Sequence, residues 1–256
     1  MKKAVFITGA GAGIGQATAR AFAELGWFVG LYDRDEAAVK KLALEFGSEN
    51  ALAGKLDVID AKGWEKSLAE FFGRTNRLDV LINNAGVLYS GPFENISIQQ
   101  HKQIFDVNVQ GVVNGCHSAL QYLKQTPHSR VVNVSSASAI YGQPSLATYS
   151  ASKFAIRGLT EGLDNEWRTY GIRVVDVMPL FVQTAMVTDM DAASIRKLGV
   201  HLTPQDVAAA IVRVATARSL LTPTHTPVGL STRVLYAISG LAPDRLNHWL
   251  NGFVGK

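Results

Sequence analysis

The chain has one cysteine, Cys116, among its 256 residues. A single thiol excludes an intrachain disulfide framework and a multi-cysteine metal site, and it fits a reducing, cytoplasmic compartment. His117 stands next to it, but adjacent residues on a helix point in different directions, so Cys116 reads as core packing and not as half of a thiol/imidazole couple. Charge is also scarce. Charged residues make up 18% of the chain, and the net charge is +4. The basic side chains occur in short scattered groups such as Lys2-Lys3 and Lys40-Lys41, with no stripe and no interleaved aromatics. Solvated helix faces account for them, and no nucleic-acid partner is expected. The six histidines show no metal-ligand spacing, so no metal is expected. Long apolar runs are missing as well. The best candidate, Val228 to Leu241, is short for a bilayer and contains Arg233, so no transmembrane segment is expected. The apolar run after Met1-Lys2-Lys3 is interrupted by Gly9, Gly11, Gly13 and Gly15 before it takes signal-peptide form, and it reads as a first strand.

What remains is a chain with 47% hydrophobic residues, ample for a packed interior, and no linker or repeat that would divide it. One domain spanning residues 1–256 is expected. Short apolar, β-rich runs alternate with longer amphipathic ones. Strands are predicted over Ala4 to Thr8, Phe28 to Tyr32, Ala51 to Leu56, Leu78 to Ile82, Arg130 to Val134 and Ile172 to Val177. Helices are predicted between them, from about Gly13 to Leu25, Asp35 to Phe46, Ala61 to Arg74, Ser97 to Lys124 and Thr148 to Tyr170, with another from Pro204 to Ala217 opened by Thr203. A seventh strand is placed near Leu220. Nearly wholly apolar strands that alternate with helices imply a doubly wound, mostly parallel α/β sheet of Rossmann type, covered on both faces.

Directly after the first strand comes Thr8-Gly9-Ala10-Gly11-Ala12-Gly13-Ile14-Gly15. Small residues there let backbone N–H groups and a helix N-terminus come close to a pyrophosphate, which makes Gly9, Gly11, Ala12, Gly13 and Ile14 candidate cofactor contacts. Glycines also serve as plain turn formers, so the turn alone is a weak signal. The second strand ends in Tyr32-Asp33-Arg34. A carboxylate at that place can accept hydrogen bonds from an adenine ribose, and it would repel a 2′-phosphate by about a few kcal/mol at an effective dielectric near 20. Asp33 therefore favours NAD. Arg34 keeps NADP open, because a guanidinium can pair with the phosphate. Asp33 as the N-cap of the following helix is the structural alternative. Asp57-Val58 and Asn83-Asn84-Ala85-Gly86 follow later strands, at the strand ends where open α/β sheets bind ligands. They are expected to form an adenosine and ribose rim.

Tyr149 and Lys153 stand four residues apart, about one helical turn, so phenol and ammonium project from one face. A free tyrosine titrates near 10, and proton transfer at neutral pH needs a drop of roughly 3 units, or about 4 kcal/mol. One ammonium about 4 Å away supplies about that much at an effective dielectric near 20. An ordinary exposed helix pair would leave the coincidence with the glycine turn unexplained.

Thr8-Gly-x-x-x-Gly-Ile-Gly15, Asn83-Asn-Ala-Gly86, Asn108, Ser136 and Tyr149-x-x-x-Lys153 together resemble the short-chain dehydrogenase/reductase family over about residues 3 to 186. The resemblance implies an oxidoreductase that moves a hydride between a nicotinamide and a CH–OH carbon. Tyr149 would be its general acid/base, Lys153 would bind the nicotinamide ribose and depress the phenol pKa, and Ser136 would orient the substrate oxygen. Asn108 would hold a water in a proton relay, although its side chain could instead disrupt its own helix by bonding backbone. Where the family has Pro-Gly followed by a threonine, this chain has Pro179-Leu180-Phe181-Val182-Gln183-Thr184. Val182 and Thr184 remain the expected carboxamide contacts, with Leu180 adding bulk beside them.

Residues of about 185–199 would be a substrate lid, and about 225–256 an apolar tail. Leu88, Tyr89, Ile140, Tyr141, Phe181, Met186 and Met190 suggest an apolar substrate wall, each residue having core packing as its alternative. The resulting expectation is an NAD-dependent enzyme interconverting a hydrophobic secondary alcohol and a ketone, as a homodimer or homotetramer. An NADPH-dependent carbonyl or 3-oxoacyl reductase is the nearest rival. A dinucleotide-sensing protein without turnover is the more distant one, disfavoured because every expected reacting group is present.

Overall fold

Strands with apolar side chains on both faces are stable only with both faces covered. A computed structural model of the chain, which describes residues 1–188, 199–217 and 222–239, arranges them in this way. The strands are β1 (Ala4–Thr8), β2 (Phe28–Asp33), β3 (Ala51–Lys55), β4 (Val80–Asn83), β5 (Arg130–Val134), β6 (Arg173–Pro179) and β7 (His225–Val228). All pair in parallel, in the order β3-β2-β1-β4-β5-β6-β7. The order reverses between β1 and β4, where Val5 lies opposite Val80, and such a switch point opens a crevice at the carboxyl ends of the strands. This is a single doubly wound, Rossmann-type sheet, as the alternation predicts.

The helices among the described residues are α1 (Gly13–Glu24), α2 (Glu36–Phe46), α3 (Ala61–Thr75), α4 (Ile98–Phe105), α5 (Gly111–Leu123), α6 (Ala147–Trp167), α7 (Ala185–Thr188), α8 (Pro204–Thr216) and α9 (Leu230–Ser239). Alternating strand residues send side chains to opposite faces. Val5, Ile7, Val132, Val134, Val175 and Val177 face a core shared with α1 and α8. Ala4, Phe6, Val131 and Val174 face a second core built on Trp64 and Phe71 of α3, Cys116 of α5 and Ile156 of α6. Cys116 is buried there, and burial pushes its thiol up to about 12, as expected for packing and not reactivity.

Local signals place four of the helix starts. Asp35 caps α2 by accepting from the Ala38 N–H, and Asp60 caps α3 through the Lys62 N–H. Ser97 with Gln100 and Thr203 with Asp206 form reciprocal capping boxes on α4 and α8, the latter with Pro204 in its first turn. Asp33 is not the cap of α2, since Asp35 fills that place.

The structure corrects two expected elements. The helix predicted from Ser97 to Lys124 is interrupted by a π-helical turn over Asp106–Gln110, which contains Asn108. The seventh strand is at His225–Val228, inside the stretch expected to be tail, while Leu220 lies outside the described residues. A short strand at the sheet edge containing Pro227 carries little period-2 signal, which is why the sequence misplaces it. Of the expected lid, α7 and Gly199 fall in the described residues, and the tail beyond Ser239 lies outside them. Among the described residues no helix is long and apolar enough to cross a membrane.

Candidate active site

The glycine turn crosses the carboxyl end of β1 with Gly9 at φ +65° and Gly13 at φ +53°, conformations that side chains other than glycine rarely adopt. At Gly15 the constraint is space, because a Cβ would lie 2.0 Å from the Gly9 carbonyl oxygen. Two loops pin the turn. Thr8 Oγ1 accepts from the Asn84 and Ala85 N–H groups at 3.1 and 3.2 Å, and Asn84 Nδ2 donates to the Thr8 and Gly9 carbonyls at 2.9 and 3.1 Å. From the other side, the Asp33 carboxylate accepts the Gly11 N–H at 2.9 Å and the Asp35 N–H at 3.0 Å. The second strand's acid therefore shapes the glycine turn as well as facing the cleft.

Helix α1 differs from α2, α3, α4 and α8. Its N-cap residue is Ala12, with no side-chain cap. Ala12, Gly13 and Ile14 at its start line the cleft, beside glycines that leave the backbone bare. These residues fit a pyrophosphate.

Past β5, Ser136 accepts the Ser138 N–H at 3.1 Å and so opens a 3₁₀ turn, Ala137–Ala139. Tyr149, one turn before Lys153 on α6, lines the cleft with Ser136. Lys153 lies with its Nζ 5.5 Å from the centre of the Tyr149 ring, and it donates to the Val134 carbonyl at 2.9 Å. Burial raises the Tyr149 phenol to about 12, with the Ser136 side chain opposing the rise. Burial lowers Lys153 to about 8, and the Asp176 carboxylate opposes that fall. The expected depression of the phenol pKa by Lys153 is therefore not met in the protein alone. Excluding water from a phenolate costs more than its protein partners return.

Asn108 is buried behind this pair, where its amide closes on both backbone groups of Val87 and donates to Ser152 Oγ at 3.2 Å.

A cleft of about 530 Å³ runs over the switch point. Gly9, Ala12, Gly13, Ile14, Asp33, Arg34, Asp57, Val58, Asn84, Ala85, Gly86, Ser136, Tyr149, Lys153, Val182 and Thr184 all line it. Two residues expected at the site do not. Gly11 meets the site through its N–H on Asp33, and Asn108 through its bonds to Val87, which lines the cleft. The apolar wall needs a larger correction. Leu88, Phe181 and Met186 line the cleft together with Leu180, while Tyr89 lines a smaller adjoining pocket. Ile140 and Tyr141 instead pack with Met178 in a third core cluster, and Met190 lies outside the described residues. Ile140 and Tyr141 follow the turn Ala137–Ala139 and are buried with its alanines, which removes their apolar surface from water. Sequence reading also passed over Thr8 and Ser152, whose short hydroxyls give no spacing signal, and Asp176, which reads as one polar residue in an apolar strand. Among the described residues no group of three or more His, Cys, Asp or Glu side chains could hold a metal ion.

A glycine turn at the switch point of a doubly wound parallel sheet defines a protein of the dinucleotide-binding fold class. The chain belongs to the short chain dehydrogenase family, whose family model matches residues 3–194. It is 38% identical over 184 residues to the meso-2,3-butanediol dehydrogenase of Serratia marcescens, covering 72% of this chain and 73% of that protein. It is 33% identical over 226 residues to the 3alpha-hydroxysteroid dehydrogenase of Mediterraneibacter gnavus, covering 83% and 89%. Among solved structures, the 3-ketoacyl-(acyl-carrier-protein) reductase of Brucella melitensis complexed with NADH superposes with a TM-score of 0.82 at 29% identity, over 88% of this chain and 96% of that one. The protein is accordingly an oxidoreductase of the dehydrogenase class that acts on CH–OH groups with a nicotinamide dinucleotide.

Proposed function

We propose that the protein interconverts an apolar secondary alcohol and a ketone, with NAD preferred over NADP and Tyr149 as the proton donor and acceptor. The observation that carries this reading is that Ser136, Tyr149 and Lys153 line the same cleft as the N-terminus of α1, which no side chain caps. A nicotinamide dinucleotide held along the glycine turn would accept or supply the hydride. Ala12, Gly13 and Ile14 would take the pyrophosphate on their backbone N–H groups, and Asp33 the adenine ribose. Asp57, Val58 and Asn84 to Gly86 would form the rim, with Val182 and Thr184 at the carboxamide. Lys153 would hold the inner ribose.

In the oxidising direction Tyr149 takes the alcohol proton as the carbon gives up its hydride, and in reduction it returns a proton to the alkoxide oxygen. Ser136 steadies that oxygen, and its hydroxyl stabilises the phenolate. Substrate and cofactor must supply the remaining lowering of the phenol, because Lys153 and Ser136 do not achieve it alone. The cleft wall of Leu88, Leu180, Phe181 and Met186 selects an apolar substrate.

NAD is favoured because both Asp33 oxygens are tied to backbone, so the carboxylate cannot swing away from a 2′-phosphate. Arg34, which lines the same cleft, is the observation that favours the rival NADPH-dependent reductase. Exposed Ile98, Phe105 and Val113 on α4 and α5 support a homo-oligomer, and the lone buried Cys116 suits a cytoplasmic setting. The test is nicotinamide absorbance with NAD and NADP against a panel of apolar secondary alcohols and ketones. Turnover with NAD that disappears in Tyr149→Phe is the expected result. Dinucleotide binding without turnover across the panel would overturn the proposal in favour of a sensing protein.

A further inference from the structure

One face of α6 carries polar residues at helical spacing over the sheet. Lys153 reaches the Val134 carbonyl on β5, Thr160 takes a hydrogen bond from Asn133 of β5, and Glu161 meets His225 of β7. Asp176 of β6 completes this layer. It pairs in register with Asn133, one step from the Val134–Val177 pair where Lys153 is anchored. The Asp176 side chain has 0% exposure, Oδ2 contacts His225 Nδ1 at 2.8 Å, and Oδ1 is buried without a hydrogen-bond partner among the described residues. On its far side His225 Nε2 meets Glu161 Oε1 at 2.7 Å, and Glu161 is 51% exposed. Three residues distant in sequence thus make a chain from beneath the site to solvent.

Chemistry fixes the proton content of that chain. A neutral imidazole has one N–H, yet both ring nitrogens of His225 face carboxylate oxygens at hydrogen-bond distance. One additional proton must therefore be shared among Asp176, His225 and Glu161, which leaves the three with a single net negative charge. An isolated buried ammonium is unstable, and this charge lies one register step from Lys153.

We propose that Asp176, His225 and Glu161 form a proton-sharing array that acts as the buried counter-charge to Lys153, making all three positioning residues for the Tyr149 proton transfer. The charged groups facing the array are Lys153 and Arg157 from α6, and the Tyr236 ring of α9 packs near His225. Arg157 donates to Glu161 at 3.3 Å and also lies over Tyr236, so it steadies the exposed end. The directions of proton affinity agree with sharing. Burial raises Asp176 against the pull of His225, burial alone would lower His225 but its two carboxylates raise it, and burial alone would raise Glu161 but His225 lowers it.

The proposal rests on the Tyr149 mechanism, but its test does not need turnover. Protein labelled at the lysine ε-carbon and ζ-nitrogen is titrated by NMR without dinucleotide, with the Lys153 signal assigned by its loss in Lys153→Ala. Asp176→Asn, which keeps the shape and removes the charge, should lower the Lys153 midpoint by about one pH unit. His225→Gln cannot hold the shared proton, so buried Asp176 takes it up, the single negative charge moves out to exposed Glu161, and the midpoint should again fall. Should Asp176→Asn fold poorly, His225→Gln decides alone. The alkaline limb of the kcat–pH profile should move down with the NMR midpoint while the KM for dinucleotide stays within about threefold. A Lys153 midpoint within about 0.2 units of the parent in a folded variant would overturn the array's role. Failure of the Tyr149 reading would appear instead as activity retained in Tyr149→Phe, with the NMR shift still present.

Discussion

Asn108 closes a two-bond ring on Val87. Its Oδ1 accepts the Val87 N–H at 2.8 Å and its Nδ2 donates to the Val87 carbonyl at 2.9 Å. To reach that loop the helix widens into the π turn Asp106–Gln110, so a side chain expected to serve a proton relay is also the rivet between the helix and the loop that follows Gly86. The backbone groups it bonds belong to that loop, 21 residues away, and not to its own helix.

Asn108→Ala would leave both Val87 backbone groups without this partner in a mostly buried place. Loss of about 2 to 3 kcal/mol in a urea titration is expected, together with a fall in turnover because Val87 and Gly86 line the cleft. Full stability in the variant would show that water replaces the amide there.

For Tyr149→Phe the expected loss is at least about a hundredfold in kcat, the usual scale of general acid/base catalysis. The phenyl ring keeps the packing, so dinucleotide affinity measured by fluorescence should stay within about threefold.

Lys153 provides a stability test with a definite sign. Its folded value of about 8 lies below its ordinary 10.5, so between those pH values the unfolded chain binds more protons than the folded one. Stability should therefore rise with pH across that window, and below it burial of the cation carries its full cost. Replacing the charge, as in Lys153→Met, should stabilise the protein at neutral pH by up to about 3 kcal/mol while turnover is lost. A melting temperature that falls in that variant would mean that the Val134 hydrogen bond outweighs the desolvation.

Asp164 has the opposite sign. Burial would raise it, but hydrogen bonds from Arg173, Arg168 and the Val174 N–H outweigh burial and hold it at about 2, below its ordinary 3.8. Its contribution is present above that ordinary value and lost as pH falls through about 2. Asp164→Asn should cost about 3 to 5 kcal/mol at neutral pH, because Arg173 is left buried opposite a neutral group, and it should flatten acid unfolding in that window.

Asp33→Asn removes the charge but keeps an acceptor for the backbone of the glycine turn. The ratio of kcat/KM for NADP to that for NAD should rise about tenfold or more, as expected from relief of a charge repulsion of about 1.4 kcal/mol or above. An unchanged ratio would remove Asp33 as the discriminator and move attention to Arg34.

Much of the molecule was legible from the chain alone because the deciding physics is local. Positive φ at Gly9 and Gly13, apolar strands such as Val5 to Ile7, the caps Ser97 and Thr203, and the one-turn spacing of Tyr149 and Lys153 all depend on residues close in sequence. These determined the sheet, its helices and the list of cleft candidates. Tertiary structure decided what distant residues do to one another. Asn108 bonds Val87 across 21 residues, Asp176 pairs with His225 across 49, and Ile140 and Tyr141 join a core with Met178. Burial raises the phenol whose activation spacing alone implied. Desolvation and long-range pairing depend on the packed environment, which sequence periodicity cannot encode, so these features emerged only once the chain was folded.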